Sequence, residues 1–160
     1  MAKIPHYVFN VAFIGRAREL RSKARIKDPI SGKELEVVNA IWDTGATNSA
    51  ISNEVASQLG IAPTGKTKVY TADGSSEADT YVIDILLPNN VNITKLNVSD
   101  GDLGPQTDVL IGMDVIALGD FLVQNIKGNT HFSFCFPPFE NKLDMVEKAN
   151  AINAKALKKR

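Results

Sequence analysis

Several short segments carry side chains whose types and spacing chemistry can use. Asp43-Thr44-Gly45-Ala46-Thr47 sets a carboxylate and a hydroxyl beside a glycine at the end of the hydrophobic run Val37 to Trp42. A carboxylate there can act as a general base or acid, or bind a phosphate-bearing ligand through its loop. Gly60-Ile61-Ala62-Pro63-Thr64-Gly65-Lys66-Thr67 fits the G-x-x-x-x-G-K-[ST] pattern of a phosphate cradle. Asp100 and Asp102 beside Gly101 and Gly104 could hold a cation, although such pairs are commonly loops. His6 and His131 have no partner at ligand spacing and read as structural or exposed, and Cys135, with no base nearby in sequence, reads as a core thiol.

The elements that must position these residues read mainly as β. Alternating or β-branched runs predict strands at Tyr7 to Ile14, Ser22 to Lys27, Leu35 to Trp42, Lys66 to Ala72, Thr80 to Leu87, Val91 to Val98 and His131 to Phe136. Asp28-Pro29, Asp73-Gly74 and Pro88-Asn89-Asn90 mark turns. Ser52 as N-cap, Glu54 in the first turn, the apolar face Val55, Ala56 and Leu59, and Gly60 as stop predict one short helix. A second is expected near Met113, and a third from Glu140 to Lys159 with Leu143, Val146 and Ala149 on one side. Phe132, Phe134 and Phe136 alternate with Ser133 and Cys135, which predicts a strand with one aromatic face, suited to an interface.

With a helix before it and a β-branched run after it, the Gly60 to Thr67 segment has the reverse of the strand-loop-helix order that aims backbone N–H groups at a phosphate; Gly60 reads as a helix C-cap and Gly65 as loop. The chain of 160 residues is one domain of ordinary size, with 44% hydrophobic and 22% charged residues. Eighteen basic residues balance eighteen acidic ones, but unevenly: the first 33 residues and the last 20 are basic and the middle is acidic. The run Arg16, Arg18, Arg21, Lys23, Arg25 and Lys27 lacks interleaved aromatics, so it reads as a solvated face and no nucleic-acid partner is expected. One cysteine excludes an internal disulfide, no apolar run is long enough to span a membrane, and no signal segment is read at the N-terminus. These point to a cytoplasmic protein whose sequons at Asn92 and Asn97 carry no glycan, with no metal and no cofactor expected.

The Asp43 segment also looks like the first phosphate loop of the actin and heat-shock ATPase superfamily. That fold is far larger and continues into a hairpin, whereas here a helix follows at Ser52. An aspartyl-phosphate phosphatase needs a second Asp where Gly45 stands. About seventy residues after Asp43, Val109-Leu110-Ile111-Gly112-Met113-Asp114 supplies an apolar strand, a glycine and a helix start. In this order the sequence resembles the retropepsin-like aspartic proteases, from about Ser22 to about Phe121. The resemblance implies an all-β, single-lobe, retropepsin-like closed barrel with short helices, to which a C-terminal helix is added. It divides the chain into an N-terminal strand and basic segment (1–21), a protease domain (22–139) and a helical extension (140–160).

Hydrolysing a peptide without a metal or a covalent nucleophile takes a base to activate water and an acid to polarise the carbonyl. Two carboxylates sharing one proton supply both. Because one Asp-Thr-Gly is present, the resemblance implies a homodimer with an Asp43 from each chain at its axis. It further implies that Thr44 bonds across the pair, that Gly45 allows close backbone approach, and that Ala46, Ala72, Asp73 and Gly74 contact a peptide or protein substrate. The hairpin Lys66 to Leu86 would then be a flap, with Asp73-Gly74 as its type I′ turn. Viral members carry Arg where this chain has Met113, which removes that arginine's interface contact. A protease-like dimer that binds peptides with little turnover is the alternative.

Overall fold

The computed structural model describes residues 4–71 and 74–157. Among the described residues ten strands run in the order β1 (Tyr7–Ala12), β2 (Leu20–Lys27), β3 (Glu34–Trp42), β4 (Ala50–Ser52), β5 (Gly65–Thr71), β6 (Gly74–Leu86), β7 (Asn92–Gly101), β8 (Val109–Ile111), β9 (Asp120–Ile126) and β10 (Asn129–Phe136). Helix α1 (Asn53–Leu59) follows β4, α2 (Met113–Ile116) follows β8, and α3 (Met145–Leu157) follows β10. A small sheet has the order β1-β10-β9, and a larger one β2-β3-β8-β4-β7-β6-β5. Because β2 pairs with β6 as well as with β3, the larger sheet is partly ring-like. Among the described residues no helix is long and apolar enough to cross a membrane.

Alternation explains how the ring is filled. Tyr81, Ile83 and Ile85 of β6 are buried while their neighbours are not, as a strand with one face inward requires. On β3 the buried residues are Val37, Ala40 and Trp42, a spacing that breaks strict alternation. A register shift against β2 between Ser22 and Ala24 absorbs the extra β3 residue, so both halves of the strand face the core. Trp42 ends the strand in an aromatic cluster with Phe9, Phe121, Phe132 and Phe134, and its indole N–H donates to the buried Ser22 hydroxyl at 2.9 Å.

The expected strands form, with differences that have local causes. Strands β4 and β9 carry no sequence pattern that predicts them: β4 is three residues long, and in Asp120–Ile126 the apolar Phe121, Leu122 and Val123 are consecutive, with no alternation. Strand β7 continues to Gly101, so Asp100 lies in the sheet and not in a loop. Gly65 is the first residue of β5, opposite Thr80, and not a loop residue. Helix α3 starts at Met145 instead of Glu140, because the Asp144 carboxylate accepts the N–H groups of Val146 and Glu147 and so caps it. The aromatic face of β10 does not supply an interface: Phe132 and Phe134 are fully buried in the chain's own core. Of the basic run, Arg16, Arg18 and Lys23 are exposed, while Arg21 pairs with Glu19, Arg25 with Glu34 and Glu36, and Lys27 with Glu34.

Candidate active site

Asp43 is the first residue after β3, half-buried, and Thr44 and Gly45 beyond it are exposed. Strand β8 fixes where β3 ends: it lies between β3, parallel to it, and β4, antiparallel to it. The chain therefore leaves β3, turns through residues 43–49 and returns on the far side of β8. The Asp43 N–H donates to the Ile111 carbonyl at 2.9 Å, which extends the β3–β8 ladder to the carboxylate itself. One carboxylate oxygen, Oδ1, accepts the Gly45 N–H at 2.8 Å, and the Asp43 carbonyl accepts the Ala46 N–H at 3.3 Å. A Cβ on Gly45 would stand 3.1 Å from Oδ1, so glycine there keeps the turn closed on the carboxylate. Among the described residues, neither Asp43 Oδ2 nor the Thr44 hydroxyl has a hydrogen-bond partner within the chain.

The start of α2 grips the turn from below. Met113 N–H donates to the Ala46 carbonyl at 2.8 Å, and Asp114 N–H donates to the Thr47 carbonyl at 3.1 Å. The Asp114 carboxylate accepts the Ser49 N–H at 2.9 Å and the Ser49 hydroxyl at 2.7 Å, while that same fully buried hydroxyl accepts the Gly112 N–H at 3.0 Å. Gly112 has no room for a side chain: a Cβ would lie 2.7 Å from the backbone of Asn48. Its φ of −93° is ordinary, so glycine is required here for space and not for conformation.

The structure thus brings Asp43, Thr44, Gly45 and Ala46 together on one turn and seats them on Gly112. It adds Ser49 and Asp114, which sequence reading missed. The acidic residue in the first turn of α2 was the available signal, but its partner lies 65 residues away. Ala72 and Asp73 lie outside the described residues. Gly74 is the first residue of β6, opposite Thr71, with φ of +135°. It is a strand residue and not a central position of a type I′ turn, which corrects the Asp73-Gly74 assignment.

The hairpin that carries Gly74 projects from the sheet. Among the described residues, the strand partner of Gly65–Thr71 is Gly74–Thr80, and β6 joins β7 from Thr80 onward. Residues 74–77 and most of β5 are exposed. Of the other candidates, Asp100 is bound to its own chain and Asp102 accepts the Gly104 N–H in a local turn. Burial pushes the Cys135 thiol up from its ordinary value, with the Asp120 charge adding to it, and the thiol donates to the Pro137 carbonyl. His6 is exposed, makes a hydrogen bond with Pro137 O and lies against the Phe139 ring.

Residues 23–115 match the family described as aspartyl protease, which includes the Asp43 turn, the hairpin and the Gly112 seat. No curated protein matches the sequence. Among solved structures, a retropepsin-like aspartic protease from Rickettsia conorii is similar with a TM-score of 0.53 at 19% identity, over 84% of this chain and 98% of that one. The EIAV protease complexed with the inhibitor HBY-793 is similar at 0.48 and 17%, over 62% of this chain and 86% of that one. The fold is that of the retropepsins.

Proposed function

The chain belongs to the aspartyl protease family, and from that premise we propose that it is a homodimeric endopeptidase whose two Asp43 carboxylates share one proton at the dimer axis. The observation that carries this reading is the Asp43 turn itself. A single carboxylate stands half-buried at the end of β3, with Oδ1 held by a backbone N–H and Oδ2 without a hydrogen-bond partner among the described residues. One such group can be a base or an acid but not both at once. Thr44 and Gly45 are exposed beside it, which suits contact with the same turn of a second copy, where the Thr44 hydroxyl would find the partner it lacks among the described residues.

In such a pair, like charges at hydrogen-bonding distance do not both ionise, so one carboxyl keeps its proton, a splitting for which aspartic proteases are themselves the established example. The ionised carboxylate takes a proton from a water held between the two groups as that water attacks the scissile carbonyl carbon. The protonated carboxyl hydrogen-bonds to the carbonyl oxygen and stabilises the developing charge. A proton passed to the amide nitrogen then lets the C–N bond break, and the dyad is left sharing one proton again. In this reading the hairpin β5–β6, which lies between the Asp43 turn and Gly112 in the sequence, covers a peptide bound over Asp43, and Ala46, Ala72, Asp73 and Gly74 contact that peptide.

The test is a profile of peptides cut by wild type and by Asp43→Asn in a proteome-derived library. Cleavage by the first and not by the second supports the assignment. The same cuts by both would remove Asp43 from the mechanism.

A further inference from the structure

We propose that Asp100 is a positioning residue that latches the base of the β5–β6 hairpin to the sheet behind the Asp43 turn. The role rests on the reading of that hairpin as a flap. Its two carboxylate oxygens reach separate points on β6 on either side of the place where that strand leaves the sheet. Oδ1 accepts the Asp79 N–H at 2.9 Å, and Oδ2 accepts the Tyr81 hydroxyl at 3.0 Å. Thr80, between them, is where β6 first pairs with β7, and among the described residues the strand pairing of Ser75 through Asp79 is with β5. Asp100 therefore stands where support from the sheet ends, and it supplies two bonds there that the β6–β7 ladder does not.

The other side of Asp100 leads to the candidate site. Strand β7 pairs in parallel with β4, with Ile51 opposite Asp100, and β4 is the strand that follows the Asp43 turn. Tyr81 and Ile51 are both buried, so the latch is anchored in the core at one end and tied to an exposed hairpin at the other. Across the base, Thr64 donates to the Thr80 carbonyl through its N–H at 2.7 Å and its hydroxyl at 3.0 Å. The hairpin is thus clasped on both edges at one level, with seven-residue β5 beyond it, and bending should concentrate there. A carboxylate is not required by its charge. An Asn can accept from Asp79 N–H through its oxygen and donate to the Tyr81 hydroxyl, so the geometry can be kept without it.

The experiment compares Asp100→Ala, Asp100→Asn and Tyr81→Phe with wild type by amide hydrogen exchange and by steady-state cleavage of a peptide substrate. Asp100→Ala should speed exchange in residues 66–71 and 74–79 about tenfold while Val37 to Trp42 stay protected, the size of effect expected for losing two part-buried hydrogen bonds. It should lower kcat/KM about tenfold, mostly through KM, as a loosened flap predicts. Asp100→Asn should restore wild-type exchange, and Tyr81→Phe should lie between. Unchanged hairpin exchange in Asp100→Ala would overturn the latch. So would faster exchange spread evenly into Val37 to Trp42, because that marks a merely structural role. If Asp100→Ala does not fold, wild-type hairpin exchange in Tyr81→Phe overturns the latch in its place. Exchange does not depend on catalysis, so a wild type that cuts no peptide contradicts the proposed function and leaves the latch to be judged on exchange alone.

Discussion

Asp43 presents two unlike oxygens: Oδ1 is occupied by the Gly45 N–H, and Oδ2 has no intrachain donor among the described residues. An Asn at 43 can still accept the Gly45 N–H and preserve the turn, yet it cannot share a proton. Asp43→Asn should therefore leave the melting curve close to wild type and lower peptide cleavage about a thousandfold or more, measured with one fluorogenic peptide for both proteins. An active Asp43→Asn would contradict the role. Gly112→Ala tests the seat below it. The added Cβ meets the Asn48 backbone at 2.7 Å, so the Asp43 turn must shift, and stability should fall by about 2 kcal/mol in urea titrations together with activity. Asp43-Thr44-Gly45 was legible in the sequence because a small, local turn motif followed a long apolar run. The Ser49–Asp114 pair was not, because a hydrogen bond between residues 65 apart depends on the β3-β8-β4 crossing, which no local pattern announces.

At the level of elements, α1 was readable to the residue. The Ser52 hydroxyl accepts the Val55 N–H and Gly60, with φ of +67°, closes the helix, and both signals are local. Strand ends were less so, since they follow pairing partners: β6 runs back to Gly74 only because β5 pairs with it there. That register makes Gly74→Val informative. At φ of +135° a β-branched residue is strained, so hairpin amides at residues 68–71 and 75–78 should exchange about tenfold faster while Val37 to Trp42 do not change. Normal exchange and normal kinetics in this variant would remove the hairpin from substrate capture. A second prediction concerns the hairpin base at alkaline pH. Burial, with the Asp100 hydrogen bond adding to it, pushes Tyr81 from 10.0 up to about 12. The folded value lies above the unfolded one, so this stabilisation is complete below pH 10 and drains away as pH rises from 10 toward 12. Urea titrations of Tyr81→Phe should show a flatter decline over that window than wild type.

For the whole molecule, the all-β class and the order of motifs were visible because alternation and turn residues recur along the chain. The use of the aromatic residues was not. Phe132 and Phe134 alternate as an interface strand would, but Phe9, Trp42 and Phe121 from three other strands enclose them, and only the assembled sheets show that. With that face spent on the core, the proposed dimer would form elsewhere, and the Asp43 turn with exposed Thr44 and Gly45 is where the proposed activity requires it. A shared dyad also predicts activity that falls on both sides of an optimum: at low pH both carboxyls hold protons and no base remains, and at high pH neither does and no acid remains. The most direct measurement mixes wild type with Asp43→Asn, lets subunits exchange at constant total protein, and follows peptide cleavage against the wild-type fraction. If each site needs an Asp43 from both chains, activity follows the square of that fraction, so an equal mixture retains about a quarter of wild-type activity. A linear fall, with about half retained, would mean that each chain carries a complete site by itself and would contradict the shared dyad.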